Sequence, residues 1–320
     1  MLANPKAEQM EPEELSALQL AQLARAFSWA RERSRFYGKK LVNAPQEMQS
    51  LSDLEKVPFT TLPEILAANP FDFLAVPFSA LARISRCRHT SPIIRMYMPS
   101  DVERNVQGLA RALAAAGVTR ASSVGILGDL SSSRLLDLLY ASEMLGATAI
   151  PMGTDLEGAV SLLQISHADT LLATQPLLMQ LIVQAQSEGQ NPADLPLKSL
   201  LSVNEAIANP MRKHIRERLK AKMFDLYAPV EMGTANILYQ CEQGGYHIQE
   251  DAYLAEIVEF NGNRVIHEAG RMGELVLTAL SRGAMPLLRY RTGQAVMRLE
   301  EPCTCGRTFL RITTPLSMMR

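Results

Sequence analysis

The chain has 320 residues, 47% of them hydrophobic and 20% charged, and its 32 basic and 33 acidic residues leave a net charge of −1. That length buries a sizeable core, while the near-neutral charge excludes a nucleic-acid partner held by bulk electrostatics, which needs a basic surface. The opening MLANPKAEQMEPEEL lacks the apolar core of a secretory signal, and no apolar run is long enough to span a bilayer, so no membrane partner is expected.

Leu15, Leu18, Leu20, Leu23, Phe27 and Ala30 recur mainly three or four residues apart, which predicts an amphipathic helix over 12–37. Arg25, Arg31, Arg33 and Arg35 on its other face read as a solvated surface. In VPFTTLPEIL the Thr-Thr-x-Pro-Glu stretch marks the start of a short helix. From Asp101 an α/β rhythm sets in: a helix over 101–117 ending near Gly117, strand SSVGIL, and a helix over 133–145 stopped at Gly146. Strand ATAIPM, a helix over 157–166, strand DTLLAT and a helix over 175–187 follow. Short buried strands alternating with helices predict parallel pairing, because crossover helices cover both faces of such a sheet. After a helix at 209–220 the pattern changes to strands at 246–259, 264–267, 272–280 and 295–299, joined by turns such as FNGN. The fold class is therefore α/β, with layered parallel sheets and flanking helices followed by a mainly β part. The expected division is an N-terminal helical segment and the start of the α/β subdomain over 1–100, the α/β subdomain over 101–222, and a mainly β subdomain over 223–320.

The four cysteines are Cys87, Cys241, Cys303 and Cys305. A single residue separates the last two, which is poor spacing for a mutual disulfide, so a reducing, cytoplasmic location with thiolates available to metal is expected. Cys241, His247, Cys303 and Cys305 make up a tetrahedral donor set for structural zinc. The glycines of CEQGGYH and the Pro and Gly of EPCTCGRT would let both loops curl toward one point. The alternative is a group of buried thiols beside an unrelated histidine. A closed four-ligand site leaves no place for water and would pin loops together. Cys87 reads as a small core hydrophobe, and His89, His167, His214 and His267 as isolated polar residues.

GELVLTALSRGAMPLLRYRTG (Gly273 to Gly293) and EPCTCGRT, with HIQEDAYLAEIV, LGATAIPMG and MRKHIRERL, resemble the phenylacetate–coenzyme A ligase branch of the acyl-adenylate-forming enzymes. The likeness runs from ELSALQLAQLARAFSWARERSRFYGKKL to the CTCGRT turn. The resemblance implies a large N-terminal adenylate-forming domain of α/β subdomains and a distorted β-barrel, and it brings the same Cys, His, Cys-x-Cys arrangement, hence zinc. It also implies joining a carboxylic acid to ATP with release of pyrophosphate, then passing the acyl group to coenzyme A. Such chemistry needs a glycine-rich loop around the triphosphate, a carboxylate on magnesium, an acid on the ribose hydroxyls and a lysine from a small mobile C-terminal domain.

The sequence departs from that specification. The family's phosphate loop is like Ser-Ser-Gly-Thr-Thr-Gly-Lys-Pro, whereas here Arg83 and Ile84 are followed by SRCRHTSP, shorter and without glycine, with Thr90, Ser91 and Pro92 retained. Arg86, Arg88 and His89 offer side-chain contacts to an anion, or else mark a drifted surface loop. The family's Tyr-Gly-x-Ser-Glu becomes LYAPVEMG, keeping Tyr227 and Glu231, the implied magnesium ligand. Gly-Ala-Glu-Pro becomes VNEAI, keeping Glu205, with Val203 where adenine needs room. Arg291 is kept, but Gln294 stands where the ribose-binding acid should follow RYRTG. In the acyl-pocket stretch, Leu135, Leu136, Leu138 and Leu139 suit helix packing better than a substrate wall. After the turn the chain reads FLRITTPLSMMR, with neither hinge nor catalytic lysine, so the C-terminal catalytic domain is expected to be absent.

No residue is assigned a catalytic role. Thr90, Ser91, Glu205, Tyr227, Glu231, Arg291 and Gln294 form a vestigial nucleotide and magnesium set. The expected function is a degenerate ligase-like domain that binds a nucleotide, an acyl ligand or a protein partner without full turnover. Two alternatives stand beside it. One is an active ATP-dependent carboxylic acid–coenzyme A ligase whose C-terminal domain is missing or supplied in trans. The other is a zinc-stabilised interaction or homodimerisation module. The implied cofactors are structural zinc, ATP or AMP, magnesium and coenzyme A.

Overall fold

Between Asn105 and Gly244, strands and helices alternate because short runs of Leu, Ile, Val and Ala are punctuated by glycines that helices cannot extend through. The computed structural model describes residues 1–87, 93–203 and 209–318. Two units divide the chain: residues 1–3, 105–228 and 234–244 form the first, and 4–104, 229–233 and 245–320 the second.

In the first unit the strands lie in the order Leu238–Gln240, Lys222–Tyr227, Ser199–Val203, Thr170–Ala173, Ser123–Leu127, Thr148–Gly153. All neighbours pair in parallel except Leu238–Gln240, which runs antiparallel to Lys222–Tyr227. Leu171 and Leu200 pack with Leu178, Leu181, Ile215 and Leu219 from the helices Gln175–Ser187 and Asn209–Leu219. Leu172 and Leu201, one residue on, are fully buried too, so both faces of these strands are covered and the runs read as continuously apolar. Three strands, Ser199–Val203, Lys222–Tyr227 and Leu238–Gln240, are not among the predicted elements. SLLSV is too short to show a period. Lys222–Tyr227 comes after Lys220, which ends the preceding helix in a left-handed φ of 50° where a glycine would have announced the stop.

In the second unit the predicted helix over 12–37 is two helices, Pro12–Arg33 and Arg35–Lys40. Ser34 separates them with extended φ and ψ of −90° and 124°, and its hydroxyl accepts a hydrogen bond from Tyr37 N. The short helix Leu62–Ala67 starts on a reciprocal cap between Thr61 and Glu64, as the sequence indicates. Arg83–Cys87 and Ile93–Tyr97 form an antiparallel pair. A four-stranded antiparallel sheet has the order Tyr253–Val258, Met272–Ala279, Tyr290–Met297, Leu316–Ser317.

The predicted strand over 246–259 is two strands, Tyr246–Ile248 and Tyr253–Val258, because Ala252 N and Tyr253 N both return to Gln249 O and turn the chain. Segment 264–267 contributes a single bridge, Val258 to Val265. The predicted strand over 295–299 begins at Tyr290 instead, immediately after Arg289.

Arg289 holds a left-handed φ of 48°, a conformation that costs a non-glycine residue roughly 1–2 kcal/mol. Its guanidinium is buried, bonded to both oxygens of Glu256 and to the carbonyls of Glu55 and Val57, and lies 4.1 Å from the centre of the Phe59 ring. Its backbone N–H donates to the Thr278 hydroxyl, and its carbonyl accepts from Thr60 N. Beside it, the Tyr37 hydroxyl accepts from Leu288 N at 2.8 Å and meets Thr60 Oγ1 at 3.0 Å, and burial pushes the phenol up to about 12. Removing one partner of such a buried pair strands the other. Arg289→Ala should therefore lower unfolding free energy by about 3–5 kcal/mol, measured by chemical denaturation.

Candidate nucleotide segment and metal centre

Glu274 explains why GELVL and RYRTG belong together. One of its oxygens accepts from Arg291 Nε at 2.7 Å and the other from Gly293 N at 2.9 Å. Arg291 Nη2 also donates to the carbonyls of Glu259 and Gly262, at 3.1 and 3.3 Å. The Thr292 hydroxyl donates to Leu275 O and accepts from Gln294 N. The strand register shifts between Glu274 and Val276, and Gly293 takes a φ of 71°. Together these contacts fix the backbone at Gln294, a half-buried residue just past the turn.

Glu231 is buried in the 3-10 turn Val230–Met232 of the second unit. Gly233 closes that turn at a φ of 65°, and its carbonyl accepts from the Tyr97 hydroxyl at 2.7 Å. A Cβ on Gly233 would stand 2.8 Å from that hydroxyl, so the position excludes a side chain. Sequence reasoning missed this Tyr97–Gly233 pairing; the glycine two residues after Glu231 was its one signal. Tyr227 ends a strand of the first unit, and Val203, fully buried, ends another. Leu135 and Leu138 are buried on the helix Ser133–Met144 of the same unit. Thr90, Ser91 and Glu205, with Arg88, His89 and the Cys87 side chain, lie outside the described residues.

Within the second unit, the ligand atoms of His247, Cys303 and Cys305 lie within 4.8 Å of one another. His247 Nε2 is 3.4 Å from Cys305 Sγ, and its Nδ1 faces Phe309 O at 3.3 Å. A carbonyl at Nδ1 holds the proton there and leaves the Nε2 lone pair toward the sulfurs, the usual orientation of a ligating imidazole. Donors bound to one tetrahedral zinc stand roughly 3.5–3.8 Å apart, so these residues fit a metal ion. His247 is placed by the strand Tyr246–Ile248, which pairs with Arg311–Ile312. Cys241 is buried in the first unit and opens the turn closed by Gly244 N to Cys241 O at 3.2 Å.

The Cys-x-Cys turn is gripped from the N-terminal side. Arg307 Nε donates to Glu8 Oε2 at 2.5 Å, both side chains being buried. Thr308 N donates to Glu8 O, and Gln9 Nε2 to Gly306 O. Near His247, Glu250 accepts from Leu310 N, and burial pushes its carboxyl up to about 7. No helix among the described residues is long and apolar enough to cross a membrane.

No family model matches the sequence. The chain is 32% identical over 321 residues to the phenylacetate–coenzyme A ligase of Thermus thermophilus, covering 98% of this chain and 72% of that protein. It is 30% identical over 305 residues to the phenylacetate–coenzyme A ligase of Escherichia coli, covering 91% and 70%. Among solved structures, 2-hydroxyisobutyryl-CoA ligase with 2-HIB-AMP matches with a TM-score of 0.90 at 23% identity, covering 98% of this chain and 70% of that one. The open conformation of that enzyme with 2-HIB-AMP and CoA gives 0.88 at 22%, covering 97% and 76%. The fold is thus that of the adenylate-forming acyl-CoA ligases. Within that class, the chain belongs to the phenylacetate–coenzyme A ligase family.

Glu274→Ala should leave Arg291 and Gly293 N–H without their carboxylate. A loss of about 2–3 kcal/mol in unfolding free energy is expected, read as a lower melting temperature.

Proposed function

We propose that this chain is a ligase-like adenylate-forming domain that holds a nucleotide and an acyl ligand without completing ligase turnover. The observation that carries this reading is the loop SRCRHTSP, which has no glycine where backbone N–H groups must wrap a triphosphate. Gln294 supports it, since an amide bonds a ribose hydroxyl without the charge that strengthens the bond. Glu231 would hold magnesium, with Tyr227, Glu205, Thr90, Ser91 and Arg291 completing the nucleotide segment. The solved complexes of 2-hydroxyisobutyryl-CoA ligase with an acyl-adenylate and CoA support a nucleotide and an acyl compound as ligands. A second reading, an active acid–CoA ligase completed by a C-terminal domain outside this chain, is favoured by the Thermus relative, of which the chain covers 72%. ATP and magnesium should raise the melting temperature, while phenylacetate, 2-hydroxyisobutyrate and longer acids release no pyrophosphate. Acid-dependent release well above the blank would overturn the first reading in favour of the second.

The metal would be structural zinc, held by His247, Cys303 and Cys305 with Cys241 as fourth ligand, delivered by the short turn that precedes His247. Zinc there supplies no chemistry beyond fixing the turns, and thiolate ligands suit a reducing, cytoplasmic location. Metal analysis of the purified chain should find about one zinc per chain, lost in Cys303→Ser. A metal-free chain of undiminished stability would refute the site.

A further inference from the structure

Arg134 lies in the first turn of the helix Ser133–Met144, in the first unit, and is only 6% exposed. Its Nε and Nη2 are buried and have no hydrogen-bond partner. No ion pair engages it among the described residues. A guanidinium does not lose its proton inside a protein, so this is a standing positive charge taken out of water. Buried charges are ordinarily paired, because an unpaired one forfeits its hydration with nothing in return.

The surroundings favour an anion from outside the chain. Asp137, one turn further along the same helix, accepts from Asn105 Nδ2 at 3.1 Å and leaves Arg134 unpaired. Ser132 occupies the N-cap position, and its side chain makes no capping bond. The backbone N–H groups of the first turn have no acceptor within the helix, and the helix dipole adds positive potential at that end. Side chains on a helix lean toward its N-terminus, the end at which these N–H groups lie. In the preceding loop, Asp129 is folded back onto its own chain: its carboxylate accepts from Ser131 N at 2.9 Å, and its carbonyl accepts from Ser132 N.

We propose that Arg134 and the first turn of the helix Ser133–Met144 form a binding site for a small oxyanion, a carboxylate or a phosphate. The planar guanidinium offers two parallel donors matched to either group, and the helix end supplies the backbone donors. The site stands independently of ATP turnover and of the metal centre. It would place a negatively charged group of a ligand in a stretch, GDLSSSRLL, that otherwise packs as an ordinary helix.

The test uses the whole chain without ATP or coenzyme A. Melting temperature and calorimetric binding are followed against inorganic phosphate, acetate and succinate, with sodium chloride at matched ionic strength as the blank. Saturable stabilisation is expected, and the tighter arm identifies phosphate or carboxylate as the natural group. Arg134→Met should abolish that response and, with the unpaired charge gone, melt no lower than the parent chain in the absence of anion. Arg134→Lys should retain a weaker response, reduced about tenfold or more in affinity. Three outcomes would overturn the site: no saturable response in the parent, a response preserved in Arg134→Met, or an Arg134→Met chain that melts lower without anion. The last would mean that the chain itself satisfies the guanidinium.

Discussion

Arg289 is the point on which the second unit turns. Its side chain ties the Glu256 carboxylate of one strand to the carbonyls of Glu55 and Val57, while its main chain joins Thr278 to Thr60. The left-handed φ it must adopt costs roughly 1–2 kcal/mol, and the burial of both charges costs more. Such a pair gains little over apolar packing of equal volume, but it tolerates no partial loss. The arrangement fixes where the strand Tyr290–Met297 begins, and so fixes everything that strand carries.

One of the things it carries is the Glu274–Arg291–Gly293 clasp. The family resemblance implies a ribose-binding acid directly after RYRTG, and here Gln294 stands in that place. The clasp uses Arg291 to hold strands and carbonyls in place, and this structural employment of the arginine is indifferent to the residue at position 294. On that reading, a scaffold motif and a chemical motif share one stretch of chain. The first can persist by its packing and hydrogen bonds while the second changes by a single residue.

The cysteine–histidine cluster shows a similar dependence on support. Cys303 and Cys305 lie on a turn that makes little secondary structure of its own, yet Arg307 and Thr308 anchor it to the buried Glu8 near the other end of the chain. His247 is oriented by Phe309, four residues beyond Cys305. Donors brought this close without a metal would crowd three polarizable, ionisable groups in a poorly solvated place. A cation held there, as proposed, would resolve that crowding.

Much of this was legible in the sequence. Glycine-stopped helices and apolar strands between Asp101 and Ser187 specify a parallel α/β sheet, because that periodicity has few other folds to adopt. The residues of the candidate metal site were legible as types, since thiolate and imidazole chemistry is carried by the residues themselves. Tertiary structure alone decided what depends on distant partners. The break at Ser34, the split at Gln249 and the early start of the strand at Tyr290 are local events, but long-range bonds enforce them. The convergence of His247 with Cys303 and Cys305 needed strand pairing between residues more than fifty positions apart. The charge of Arg134 was plain from the sequence, but its isolation was not. Whether a charge is solvated, paired or stranded depends on what packs around it, and only the folded chain specifies that.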